Sequence, residues 1–160
     1  MDDVQNAPAF FEQTWDLSYR HALGATTARF FEQLKARRLF GVRCPQCQRV
    51  LFPPRSFCDR CHTATEDWIE LEPRGTLEMF TIVTEPFRGA AIEPPYVLAY
   101  ARPDGADTAA VGYLRGIDLG DVSAAAISLE VGAPVEFVFV DEPEGSATDF
   151  WFRLVPSIGE

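Results

Sequence analysis

Apolar positions along this chain change their spacing twice, and each change marks a boundary between kinds of structure. Through the first forty residues they recur at helical spacing: Phe11, Trp15 and Tyr19 stand four apart, with Ala22 and Leu23 beyond them. Asn6 followed by Pro8 reads as an N-cap and first turn, and Gly24 as a C-terminal stop. Thr26 or Thr27 then caps a second helix whose apolar face is Phe30, Phe31, Leu34 and Leu39. Arg37 and Arg38 sit in its last turn, where positive charge suits the helix dipole, and Gly41 ends it. Residues 42–67 lose the period, and Pro45, Pro53 and Pro54 forbid a long helix there.

From Trp68 onward the texture is that of strands. Trp68–Glu72 is a short candidate, and Pro73-Arg74-Gly75 turns the chain into the alternating run Thr76–Glu85. A Pro/Gly loop covers residues 86–95. Further strands are expected at Tyr96–Arg102 and Thr108–Leu114, joined by Pro103-Asp104-Gly105, and at Val135–Val140 and Phe150–Val155. Val122–Leu129 reads as a short helix between them. About five antiparallel strands with one irregular crossing after the third match a small Greek-key barrel of the OB type. The chain is therefore expected to be mainly β with N-terminal helices. Residues 1–41 are expected to form a helical arm, 42–67 a cysteine-bearing ribbon and 68–160 the barrel.

The aromatic side chains of the arm bear on function. Trp15, Tyr19, Phe30 and Phe31 offer more aromatic surface than a short arm buries on itself, so they are expected to dock on a partner. Packing against the body of the same chain would bury them as well.

Composition bounds the answer further. The chain has 160 residues, 47% of them hydrophobic, which suits one main core with appendages. No apolar run reaches the roughly 18 residues needed to span a bilayer. The acidic start Met1-Asp2-Asp3-Val4 lacks a secretory pattern, so a soluble cytoplasmic protein is expected. The net charge of −10 opposes general nucleic-acid binding, yet it is unevenly spread. Residues 29–60 sum to +6, whereas residues 61–160 sum to −13. The basic segment either neutralises the cysteine thiolates of residues 42–67 and solvates a helix, or faces an anionic ligand or acidic partner.

The strongest chemical signal is Cys44-Pro45-Gln46-Cys47 followed by Cys58-Asp59-Arg60-Cys61. Each C-x-x-C makes a tight knuckle, and two knuckles complete a tetrahedron around one structural ion, here expected to be zinc. Iron uses the same rubredoxin-like spacing, and two disulfides or a redox pair would also account for four cysteines. His62 adjoins the fourth cysteine, although four sulfurs suffice. Spending all four cysteines leaves no free thiol nucleophile, and no phosphate loop, dinucleotide glycine motif or G-x-S-x-G elbow is present. Glu66, Asp67, Glu70 and Glu72 read as a solvated strand edge. No catalytic residue is assigned, and the chain alone is expected to perform no chemistry.

The order of these features resembles a known family. A Trp/Tyr-bearing arm and a helix with Phe30-Phe31 precede G-V-R-C-P-Q-C, F-P-P-R-S-F-C-D-R-C and Trp68. P-R-G-T-L, E-P-P-Y-V-L-A-Y, V-G-Y-L-R-G, V-G-A-P-V-E-F-V-F and F-W-F-R-L follow. From about Thr14 to Val155 the chain is similar to the DUF35 family, rubredoxin-like zinc ribbon plus OB-fold proteins that accompany thiolases. Gln48 departs from the glycine common in such knuckles. The resemblance implies a non-catalytic small subunit of a heteromer, a heterotetramer with a thiolase-fold large subunit. Such complexes carry out thiolytic or retro-aldol cleavage of acyl-CoA, aromatic β-keto acyl-CoA such as benzoylsuccinyl-CoA among their substrates. CoA or acyl-CoA would be the ligand of the complex. Arg38, Arg43, Arg55 and Arg60, which crowd the ribbon, are the candidates for its phosphates. The contrasting reading is a nucleic-acid-binding ribbon and barrel; the acidic barrel, poor in Lys and Arg, argues against it.

Overall fold

The computed structural model describes residue 13 and residues 20–86 and 92–156. The first expected helix falls outside these residues, apart from residue 13 and residues 20–24, which carry no regular element. Trp15 and Tyr19 likewise lie outside the described residues.

Helix α1 runs Ala25–Lys35. Gly24 precedes it in an extended conformation without a side-chain cap, so Thr26 and Thr27 lie inside the first turn. The helix also stops earlier than the apolar pattern suggests. Arg37 adopts a left-handed φ of 59°; its N–H bonds to the Leu34 carbonyl at 2.8 Å, and the Arg38 N–H bonds to the Gln33 carbonyl at 2.9 Å. That crossed pair is a Schellman ending, with arginine where glycine is usual. Leu39 and Gly41 consequently belong to a strand. Helix propensity yields there to sheet pairing.

Strands β1 (Leu39–Arg43), β2 (Val50–Leu51) and β3 (Asp67–Leu71) form an antiparallel sheet in the order β2-β1-β3. The candidate strand at Trp68 is thus paired along its length with β1, from Leu39↔Leu71 to Arg43↔Asp67. Five further strands make a closed barrel: β4 (Arg74–Val83), β5 (Tyr96–Pro103), β6 (Ala110–Arg115), β7 (Pro134–Phe139) and β8 (Phe150–Leu154). Their order is β4-β5-β6-β8-β7, with β7 closing back on β4. The β6–β8 pair is parallel, and helix α2 (Val122–Ser128) bridges the crossing between β6 and β7. Asp121 caps α2 by accepting from the N–H groups of Ser123 and Ala124. This is the OB arrangement expected from the strand spacing.

Close approach at two glycines shapes the barrel. A Cβ at Gly75 would lie 2.1 Å from the Arg102 carbonyl oxygen, and one at Gly112 would lie 2.9 Å from the Phe152 ring.

One core serves arm, ribbon and barrel. It joins Phe30 and Leu34 of α1 to Leu39, Val50 and Phe52 of the ribbon, and to Leu77, Val97, Val135, Phe137, Phe150 and Phe152 of the barrel. Phe52 is fully buried at its centre, edge-on to Phe30 at 5.8 Å and to Phe137 at 5.9 Å. Phe30 is 5% exposed. Its expected role as a docking residue is corrected accordingly: it fills this chain's own core, where it meets the Phe52 ring. Phe31 is half-buried against the same core, and the Gly145 loop reaches its carbonyl.

The β7–β8 loop is held by a buried carboxylate. Asp149 accepts from the backbone N–H groups of Glu144, Gly145 and Ser146 and from the Ser146 hydroxyl. Burial opposes its ionisation, but these donors outweigh burial and hold the carboxyl below its ordinary range. A lowered folded pKa contributes stability above the unfolded value of about 3.9 and loses it as pH falls through the folded value. Asp149→Asn should therefore lower unfolding stability by about 1–3 kcal/mol at neutral pH. Denaturant titrations at stepped pH should show the gap between the two proteins closing below about pH 4. A gap independent of pH would refute the charged state.

Candidate metal centre

The two knuckles are built alike. In the first, the Gln48 N–H bonds to the Cys44 carbonyl at 3.0 Å and the Cys44 N–H to the Arg49 carbonyl at 2.8 Å. In the second, the His62 N–H bonds to the Cys58 carbonyl and the Cys58 N–H to the Thr63 carbonyl, each at 2.9 Å. Gln48 and His62 occupy equivalent left-handed positions, with φ of 62° and 54°. Both are positions that glycine fills without strain. Gln48 has local support, since its side-chain amide donates to the Pro45 carbonyl at 2.9 Å. His62 serves the turn through its backbone and stands outside the cluster of ligand atoms.

The four sulfurs of Cys44, Cys47, Cys58 and Cys61 lie within 4.8 Å of one another. Cys44 and Cys58 are buried, while Cys47 and Cys61 are half-exposed. All four are free, and Cys47 Sγ is 3.8 Å from Cys58 Sγ. That is far beyond the roughly 2.05 Å of a disulfide. It fits the edge of about 3.8 Å that a tetrahedron of sulfurs has around an ion bound at about 2.3 Å. Without an ion the four thiols do not ionise alike. The backbone N–H of Cys47 draws Cys44 down to about 7, whereas hydrogen bonding by neighbouring thiols, first Cys47, pushes Cys61 up to about 12. Four thiolates this close need a cation to share, and a set of four leaves no open position for water.

The sulfurs have a small apolar setting of their own: Val42 and Leu51 are buried with Cys44 and Cys58, and Trp68 packs beside them. Arg29 lies over the Trp68 ring at 4.2 Å, which ties α1 to this side of the ribbon.

The arginines proposed for phosphate are not gathered into one cradle. Arg38 makes a bidentate bond to Glu70 at 2.8 and 2.6 Å and stacks over Phe40. That bond holds Glu70 below the ordinary carboxylate range. Arg43 faces Asp67 at 3.6 Å, at the far end of β1 and roughly 16 Å along the strand from Arg38. Arg55 approaches Asp59 at 3.5 Å, and Arg49 reaches the same carboxylate at 3.4 Å. Arg60 lies at the tip of the second knuckle, between Asp59 and Cys61.

Sequence reasoning missed the residues that fasten the ribbon to the barrel. The Val50 N–H donates to the Asp107 carboxylate, and the Asp107 N–H returns a bond to the Val50 carbonyl, each at 2.8 Å. The Thr108 hydroxyl accepts from the Phe52 N–H at 2.7 Å and donates to its carbonyl at 2.8 Å. Pro103-Asp104-Gly105 signals a turn, and nothing in the sequence shows what the following Asp and Thr touch.

Removal of one ligand should unmake the ribbon. Cys47→Ser is expected to abolish stoichiometric metal in elemental analysis and to lower solubility. Relief of the left-handed strain gives the opposite sign: His62→Gly should keep the metal and raise stability by about 1 kcal/mol in thermal melts of the loaded protein. Loss of metal from that variant would make the imidazole a ligand.

Comparison with known proteins agrees with this construction. Residues 31–66 match the family profile of the ChsH2 rubredoxin-like zinc ribbon domain, and residues 68–140 that of the ChsH2 C-terminal OB-fold domain. A DUF35 domain-containing scaffold protein of Methanocaldococcus jannaschii is 36% identical over 62 residues, which are 38% of this chain and 44% of that protein. A probable enoyl-CoA hydratase alpha subunit of Thermomonospora curvata is 36% identical over 81 residues, 50% of this chain and 25% of that protein. The chain thus spans less than half the length of these curated relatives. Among solved structures, the Ltp2-ChsH2(DUF35) aldolase contains a chain 28% identical at a TM-score of 0.64, covering 84% of this chain and 98% of that one. A DUF35 protein of unknown function from Sulfolobus solfataricus shares the fold at 21% identity and a TM-score of 0.59, covering 82% and 87%. With a four-cysteine ribbon leading into a closed OB barrel, this chain belongs to the DUF35 family.

Proposed function

We propose that this chain is a non-catalytic accessory subunit of a thiolase-type complex acting on an acyl-CoA, with zinc as its structural ion. The observation that carries the reading is the closed set of four thiols, which spends every cysteine of the chain on architecture. A carbon–carbon cleavage of acyl-CoA needs a nucleophile or base, which a thiolase-fold partner supplies. The solved relative is named as an aldolase complex and a curated relative as a scaffold protein, and both names favour a heteromer. In this reading the partner brings the reacting groups. The ribbon and barrel stabilise it and place positive charge near the anionic end of CoA.

The arginines enter this reading as recruitable charge. The pairs Arg38–Glu70, Arg43–Asp67 and Arg55–Asp59 are all solvent-exposed, so water and salt screen them and each is held only weakly. A phosphate with its higher charge competes with such a carboxylate. The nucleic-acid reading has less support, since the outward Arg102 of the barrel is already paired with Glu78 at 2.6 Å.

Reconstitution tests the proposal. The chain is co-expressed with a thiolase-fold subunit from the same genome, and CoA-dependent cleavage of a β-keto acyl-CoA is assayed. Activity is expected only, or far more strongly, in the complex. Full activity of the soluble large subunit alone, unchanged on adding this chain, defeats the accessory role. Arg38→Ala with Arg55→Ala should weaken apparent CoA binding about tenfold while the complex persists. Unchanged affinity would leave these arginines as partners of the ribbon's carboxylates alone.

A further inference from the structure

The outer face of the barrel carries an apolar row that none of the roles above uses. Met79 of β4 lies opposite Tyr100 of β5, and Tyr100 lies opposite Val111 of β6, so three adjacent strands contribute to one line. Their relative exposures are 59%, 45% and 50%. Single exposed apolar residues are ordinary on a protein surface, but a contiguous line across neighbouring strands is not. The next row on the same face, Thr81, Leu98 and Tyr113, extends the patch with half-buried Leu98 and Tyr113.

The chain reaches this arrangement through a break in strand alternation. Leu77 is fully buried in the barrel, so simple period-two geometry would turn Met79 inward as well. The register of β4 shifts between Leu77 and Met79, and this bulge swings Met79 outward while Phe80 takes the inward place. At the neighbouring edge, the Gly132 N–H bonds to the Leu77 carbonyl and brings Val131, 65% exposed, beside the bulge.

Charge around the patch selects its occupant. Exposed Glu130 adjoins Val131 in the chain, and residues 61–160 sum to −13. Glu78, beside Met79, is neutralised by Arg102, which leaves no free positive charge from that pair at the rim. A second copy would set one acidic rim against another. Residues 1–28 of the chain itself sum to −3 and meet the same repulsion. A partner with an apolar centre and a rim of Lys and Arg suits both centre and rim.

We propose that the Met79–Tyr100–Val111 row is the docking surface for the thiolase-fold subunit, engaged through an apolar patch rimmed with basic residues on that subunit. The inference rests on the heteromeric reading above and names the face that serves it. Tyrosine and methionine are suited to the centre of such a contact, where a few large side chains carry most of the affinity.

The test is calorimetric titration of the metal-loaded full chain into the purified thiolase-fold subunit. Met79→Gln, Tyr100→Thr and Val111→Thr combined keep strand propensity and should raise Kd at least about 30-fold, with metal content and circular dichroism unchanged. Glu130→Lys should weaken binding about threefold and flatten its dependence on salt. Glu136→Gln, on the β7 side of the barrel, should leave Kd as it is. Equal binding by wild type and triple variant overturns the docking surface and leaves the heteromer intact. No binding by wild type instead refutes the heteromeric reading and this surface with it. A wild-type dimer in sedimentation that the triple variant abolishes assigns the row to a second copy, and tighter binding after deletion of residues 1–19 assigns it to the arm; either result overturns the proposal.

Discussion

The fold depends on how Phe52 is held. Its ring sits where helix, ribbon and barrel meet, fully buried and edge-on to aromatic rings from two of those parts. A phenylalanine in a shared core stabilises by several kcal/mol only if its backbone is fixed, since the cavity term is large where neighbours cannot collapse. Asp107 and Thr108 fix it. Their four hydrogen bonds to Val50 and Phe52 continue the short strand β2 onto a barrel loop, so the ribbon does not swing on a hinge. Those bonds also satisfy backbone groups of Val50 and Phe52, both buried, that would otherwise lack partners.

The metal centre lies one step upstream of that residue. Val50 and Leu51 follow the first knuckle directly, and β2 has only these two residues to pair with β1. The buried apolar set around the sulfurs is small, so coordination takes the place of a core in that part of the ribbon. A direct chain of cause runs from four thiolates through the β1–β2 turn to Phe52 and then to Phe137 and Phe150 of the barrel. Loss of the ion is therefore felt well beyond the ribbon. The knuckles keep their matching hydrogen bonds even though Gln48 and His62 stand in place of glycine. Coordination offsets that local strain.

How far the sequence could be read follows from the range of each interaction. The C-x-x-C pairs, the alternating strands and the short α2 depend on neighbours within a few residues, and each stands within a few residues of its expected place. The end of α1 is different. Arg37 closes the helix in a left-handed conformation without a glycine to announce it, because β1 must begin at Leu39 to pair with β3. Phe30 and Phe31 exceed what the arm buries on itself, and Phe30 is absorbed by a core assembled from residues far along the chain. The clamp at Asp107 and Thr108 and the nest around Asp149 were illegible for the same reason. Asp and Thr after a Pro-Asp-Gly turn, and Asp after Ser-Ala-Thr, carry no local mark of their partners.

The same distinction between local and distant partners orders the arginines. The ribbon's excess of positive charge is met from carboxylates on β3 and in the second knuckle, not from one acidic surface, so it is divided into small exposed pairs. These pairs are unequal. Arg38 is held by two bonds to Glu70 and by the Phe40 ring, and the carboxylate is held below its ordinary range in return. Arg55 has a single longer contact with Asp59, a carboxylate it shares with Arg49. Displacing Asp59 from Arg55 costs less, because Arg49 still neutralises it. Arg38 thus serves first to tie the start of β1 to β3.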